Sequence, residues 1–168
     1  MRSLCVAGGD GWAHDGDGRG SLAAAIPTTY KRVMSEHPAR AASKRSVQAV
    51  QARAKEAWLD LFADDAVIED PVGVSPIDPT GNGHRGRAAI AAFWDRQIAP
   101  VTINFEVRES YASGNECANV GTITIGMANG MQARVDGVFV YRVNDAGKLI
   151  SMRAYWEFDR MLASMTAR

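Results

Sequence analysis

The chain has 168 residues, 46% of them hydrophobic, enough for one domain with a sizeable core and a tail. Lys+Arg and Asp+Glu each number 19, so the formal net charge is zero and no general attraction to nucleic acid or anionic lipid is expected. Cys5 and Cys117 belong to no metal-ligand spacing and read as reduced thiols, no apolar run approaches membrane-spanning length, and LCVAGG after Arg2 breaks into glycine before a signal-peptide core can form. The expectation is a cytoplasmic protein that engages no membrane.

Residues 1–38 differ in character from the rest. Gly8, Gly9, Gly11, Gly16, Gly18 and Gly20 are interleaved with Asp10, Asp15 and Asp17, so backbone entropy is high and little apolar surface offsets it. This segment is expected to be a disordered extension. DGDGRG lacks the ligand register and distal Glu of a calcium loop. Met34 opens MSEHPARAASKRS, an ordinary start for a short tail, and translation from Met1 or from Met34 stays open at this level. The folded domain is expected over residues 42–168.

From Ala42, apolar residues recur at helical spacing: Val47, Val50, Ala54, Ala57, Trp58, Leu61 and Phe62 form one stripe. Ala63-Asp64-Asp65 reads as the end of this helix or helix pair, with Asp64 and Asp65 as capping and turn residues. A short strand follows in LFADDAVIEDPVG. Strand alternation puts Ala66, Ile68 and Asp70 on one face and Val67 and Glu69 on the other. An acid on the face of Ile68 sits in apolar surroundings, which raise its proton affinity and suit it to act as a general base. The plainer reading is an Asp-Pro turn.

Pro71 to Gly83 is rich in Pro and Gly and reads as an excursion loop. In HRGRAAIAAFWDRQI, Ile90, Phe93, Trp94 and Ile98 mark a second amphipathic helix stopped by Pro100. Four strands follow, in VTINFEVRESYA, ECANVGTITIGM, MQARVDGVFVYRV and KLISMRAYWEF, joined by turns at Ala128-Asn129-Gly130 and Asn144-Asp145-Ala146-Gly147. DRMLASM adds a short terminal helix. The layout is α+β: two or three helices across one face of a strongly curved antiparallel meander, a cone-shaped fold around an apolar pocket.

FADDAVIEDPVG, GRAAIAAFW and NDAGKLISMRA, in this order and spacing, resemble the ketosteroid isomerase branch of the nuclear transport factor 2-like (SnoaL-like) superfamily, from about Ser46 to Phe158. The resemblance implies that one aspartate shuttles a proton between carbons next to an enone, while a tyrosine and a protonated aspartate stabilise the dienolate oxygen. EDPVG places the base at Asp70, in agreement with the strand alternation. The tyrosine position is occupied by Ser46, the oxyanion aspartate position by Phe139, and a supporting helix tyrosine by Trp94. Asp136, three residues from Phe139, belongs to the opposite face. The resemblance also implies a homodimer through the outer sheet face.

Phe139, Trp156, Trp94, Ser46 and Tyr141 are thus the substrate-binding candidates, with core packing as the alternative for the aromatics. Ile150, Met152, Ala154, Trp156 and Phe158 are expected on one face, which the resemblance implies is turned to the pocket. His84 has no histidine partner at metal spacing, so neither a metal nor a cofactor is expected. Three readings remain. The first is steroid Δ5-isomerase-like proton transfer by Asp70 on a steroid-like or polyketide-like carbonyl compound. The second is a weakly catalytic or non-catalytic binder of a hydrophobic polycyclic ligand, and the third a protein-interaction module. Keeping the acid argues against the third, and the loss of both donors is the motive for the second.

Overall fold

The computed structural model describes residues 36–167. The expectations for the glycine-rich extension and for Met34 therefore lie outside the described residues. Helix α1 (Pro38–Gln51) starts four residues ahead of the expected Ala42, with Pro38 in its first turn, where a missing N–H leaves no helical bond unmade. Its buried face is Ala39, Ala42, Ser43 and Ser46, small side chains that let the helix lie close on the sheet, while Val47 and Val50 are only half-buried. The helix closes at Arg53, whose φ of 56° sets up paired bonds from Arg53 N to Val50 O and from Ala54 N to Ala49 O. The Arg53 guanidinium then donates to Ala99 O and Val101 O, at 2.6 and 2.8 Å.

Helix α2 (Lys55–Leu59) is one turn and a half and buries Trp58 and Leu59. Strand β1 (Phe62–Glu69) follows at once. Phe62, Asp64 and Asp65 thus belong to the strand rather than to a helix end; the two aspartates are exposed side by side where the pairing with β6 slips register between Phe62 and Val67, and regular alternation then turns Ala66 and Ile68 inward. After the loop come β2 (His84–Arg85) and α3 (Gly86–Phe93), which runs into a π-helical turn at Trp94–Ile98. The meander is β3 (Thr102–Ser113), β4 (Glu116–Gly126), β5 (Met131–Val143) and β6 (Leu149–Tyr155), followed by α4 (Phe158–Ala163) and β7 (Thr166–Ala167).

The sheet order is β2-β1-β6-β5-β4-β3, with β7 on β5. The meander is antiparallel as expected, but β1 joins β6 in parallel, pairing Ile68 with Met152. A crease crosses the sheet. The β3 register slips at Arg108, opposite Gly121, and Gly121 pairs with Gly137 on β5. A Cβ on Gly121 would lie 2.5 Å from Glu106 O, and one on Gly137 2.6 Å from Tyr155 O. Bulge and glycines let the strands bend around the helices. A second irregularity lies in β6: Leu149 pairs with Val143 and Ser151 with Arg142. Leu149 therefore takes the buried position, and Ile150, expected inward, is half-buried.

The core inside the curve holds Trp58, Phe62, Ile68, Ile90, Phe93, Trp94, Phe139, Tyr141 and Leu149. No helix among the described residues is long and apolar enough to cross a membrane.

Candidate active site

Asp70 stands one residue past β1, its parity with Ala66 and Ile68 kept, and the Asp70–Pro71 peptide is cis. Val72 N donates to Ala154 O at 2.8 Å, so the chain stays fastened to β6 just beyond the carboxylate. Glu69 faces the other way and pairs with Arg153 at 2.7 Å. Alternation has separated two adjacent acids into a solvated ion pair and a cavity carboxylate.

Asp70 lines two adjoining lobes of one apolar space. The inner lobe, about 70 Å³, is walled by Val47, Val50, Phe105, Phe139 and Met152, with Ser46 and Tyr141 as its hydroxyl groups. The outer lobe, about 140 Å³, is bounded by Ile77, Ile125, Phe158, Met161 and Trp156. Phe93, Ile98, Ile103 and Ile123 border both. Among the described residues, no other carboxylate lines either lobe.

Burial raises the Asp70 pKa from the ordinary carboxylate range to about 6, and one hydrogen bond opposes that shift. The donor is Trp156 Nε1, 2.6 Å from Asp70 Oδ1. A carboxylate with one donor in an apolar enclosure takes a proton readily and is still mostly ionised at neutral pH.

The substrate-binding candidates fall into three places. Ser46, Phe139 and Tyr141 line the inner lobe, and Trp156 the outer one. Trp94 lies elsewhere: it is buried against Trp58, ring centroids 5.2 Å apart, and borders a separate cleft beside Arg53 and Val101. The π-helical turn is the reason. Its wider period puts Phe93 and Ile98, five residues apart, on the cavity side and turns Trp94 off it. Asp136 is outward, as expected, where Arg134 and Thr122 hold its pKa down to about 2.

Two features had no periodic signal in the sequence. Trp58 Nε1 donates to Ser46 Oγ at 2.9 Å, joining two helices across 12 residues. In the loop after Asp70, the Asp78 carboxylate accepts from Thr80 N, Thr80 Oγ1, Gly81 N and Gly83 N, folding the loop back toward β1 and placing Ile77 at the outer lobe. Among the described residues, no three His, Cys, Asp or Glu side chains come together as a metal site would need. Cys117 is buried beside Ser110 and Asn119.

Helices packed across a curved sheet, with a raised-pKa carboxylate in an apolar cavity, define a cone-shaped α+β domain, and comparison with known proteins identifies its family. Residues 44–152 match the SnoaL-like domain, and the chain belongs to that family. It is 32% identical to a steroid Delta-isomerase of Nocardioides simplex over 117 residues, 70% of this chain and 88% of that one. It is 40% identical to the Delta 5-3-ketosteroid isomerase of a Mycobacterium species, with a TM-score of 0.72 covering 79% of this chain and 99% of that one. RV0760c of Mycobacterium tuberculosis, solved in complex with estradiol-17beta-hemisuccinate, is 41% identical with a TM-score of 0.72, covering 78% and 99% of the two chains. The likeness therefore reaches ketosteroid isomerase in sequence as well as in fold.

Proposed function

We propose that this protein is a steroid Δ5-isomerase-like enzyme in which Asp70 moves a proton within a steroid-like carbonyl compound. The observation that carries this reading is the Asp70 carboxylate, enclosed by apolar side chains, held by Trp156 and with a pKa near 6. In a β,γ-unsaturated ketone, the carbon between carbonyl and double bond is the acidic one. Asp70 takes its proton, the electron pair delocalises onto the carbonyl oxygen as a dienolate, and the same proton is returned at the γ-carbon. Atoms and charge balance without a cofactor.

The lobes suggest how such a molecule lies. The small inner lobe suits the carbonyl-bearing ring, with Phe139 as a wall, and the remaining rings extend past Asp70 toward Trp156, Phe158 and Ile77. Among the described residues, Gln97 is the one polar side chain besides Asp70 and Trp156 along the outer lobe, so a mostly apolar ligand is favoured. A homodimer is part of the proposal: Val138 and Tyr155, paired across β5 and β6, are exposed on the outer sheet face.

The test is conversion of a β,γ-unsaturated 3-oxosteroid to its conjugated enone, followed by ultraviolet absorbance in wild type and Asp70→Asn. Turnover lost in the variant supports the reading. A second reading, a binder with little catalysis, is favoured by one observation: Ser46 and Phe139 stand where a tyrosine and an aspartate are expected. Saturable quenching of tryptophan fluorescence by the steroid without turnover would support it.

A further inference from the structure

Resting on the isomerase reading, we propose that Tyr141 donates, from strand β5, the hydrogen bond that holds the substrate's carbonyl oxygen, with Ser46 and Trp58 behind it as positioning residues. The inner lobe narrows the choice of donor. Among the described residues its walls are aliphatic and aromatic, and its uncharged polar groups are the Ser46 and Tyr141 hydroxyls and the Trp58 indole N–H. The indole N–H is already directed at Ser46 Oγ, 2.9 Å away, inside a side chain with no exposed surface. Phe139, on the same face of β5 as Tyr141, only supplies wall: its ring lies 4.5 Å from that of Phe105.

The chemistry of the three groups then sets a direction. An indole nitrogen donates and cannot accept, so Ser46 Oγ is the acceptor at that bond. The Ser46 hydroxyl proton is left for another acceptor, and the Tyr141 hydroxyl, which lines the same small lobe, is the group beside it that can take it. Once the Tyr141 oxygen accepts from Ser46, its own proton can be offered to the cavity that it shares with Asp70. Burial first, and the Asp70 charge second, push the Tyr141 pKa upward, so the phenol stays protonated through the neutral range and remains a donor. Tyr141 is 3% exposed and Ser46 2%, so both hydroxyls are shielded from bulk water.

The donor therefore comes from the sheet rather than from helix α1. At residue 46 a short hydroxyl leaves room for the phenol that residue 141 extends from the opposite wall. No bond to hydrogen breaks at Tyr141 during the cycle. It strengthens its hydrogen bond as charge develops on the oxygen and weakens it as the proton returns.

The experiment has two arms, so that this assignment and the isomerase reading can fail separately. In the first, Tyr141→Phe is expected to lower kcat for the 3-oxosteroid by about 10²–10³-fold, with KM changed only a few fold, as for loss of one oxyanion donor. In the second, equilenin, whose naphthol oxygen mimics the dienolate, and its 3-deoxy counterpart are titrated by fluorescence into Asp70→Asn with Tyr or Phe at 141. Removal of the hydroxyl is expected to weaken equilenin at least about tenfold and leave the deoxy compound unchanged. Equal weakening of both ligands, no weakening, or failure of equilenin to bind overturns the assignment. Selective weakening in the Asp70→Asn pair, together with a wild type that turns over no steroid, keeps the assignment and rejects the isomerase reading. An unchanged kcat in Tyr141→Phe overturns it in an active enzyme.

Discussion

The indole of Trp156 lies 2.6 Å from the carboxylate of Asp70, although 86 residues separate them. The bond stabilises the ionised form against the burial that raises its pKa. With the bond in place, kcat/KM is expected to rise with pH through a single ionisation near 6, because the base works only when deprotonated. Trp156→Phe should move that inflection upward by about one pH unit, the value of one charged hydrogen bond. A pH–rate profile of the two proteins checks this, and an inflection that stays put or moves down contradicts it.

The same carboxylate has a consequence for stability. Its folded pKa, about 6, lies above the unfolded value of 3.8, so the native state binds more protons between those values and stability falls as pH rises through them. Well above pH 6 the enclosed charge is expected to destabilise the fold by up to about 3 kcal/mol. Asp70→Asn, which keeps the shape without the charge, is expected to be more stable than wild type at pH 8 by up to about that amount. The gain should vanish near pH 3.5. Urea denaturation at the two pH values reads the difference.

Ser46→Ala leaves the indole N–H of Trp58 without an acceptor in a fully buried position. The expected loss is about 1–3 kcal/mol, the desolvation of one unsatisfied donor. Ser46→Thr, which keeps the hydroxyl, should retain more of that stability, and chemical denaturation of the three proteins compares them.

Gly137 lies where β5 passes the end of β6. An added Cβ would lie 2.6 Å from Tyr155 O and 3.1 Å from Trp156 Cβ. Gly137→Ala is expected to cost about 1–3 kcal/mol by overpacking. Because the displaced atoms carry the Trp156 indole, it should also raise the pH inflection of catalysis, as Trp156→Phe does. Thermal unfolding and the pH–rate profile together check both effects.

Much of this protein is written in local pattern. Alternation in Ala66-Val67-Ile68-Glu69-Asp70 selects one of two adjacent acids for the cavity, because side chains of successive strand residues point to opposite faces. The same rule separates Phe139 and Tyr141 from Asp136, and the turns at Asn129-Gly130 and Asp145-Ala146-Gly147 delimit the meander. What local pattern does not carry is phase. A π-helical turn rotates Trp94 away from the cavity, and a slip in β6 exchanges Leu149 for Ile150, each by changing the period on which such reading depends. Partnership between distant residues was equally a matter for the tertiary structure. Trp156 reaches Asp70, Trp58 reaches Ser46, and Tyr141 comes beside Ser46 only after the sheet has bent around α1. Sequence periodicity determined which side chains face inward wherever the period stayed regular; the π-helical turn, the strand slips and the curvature of the sheet decided the rest and which of them meet.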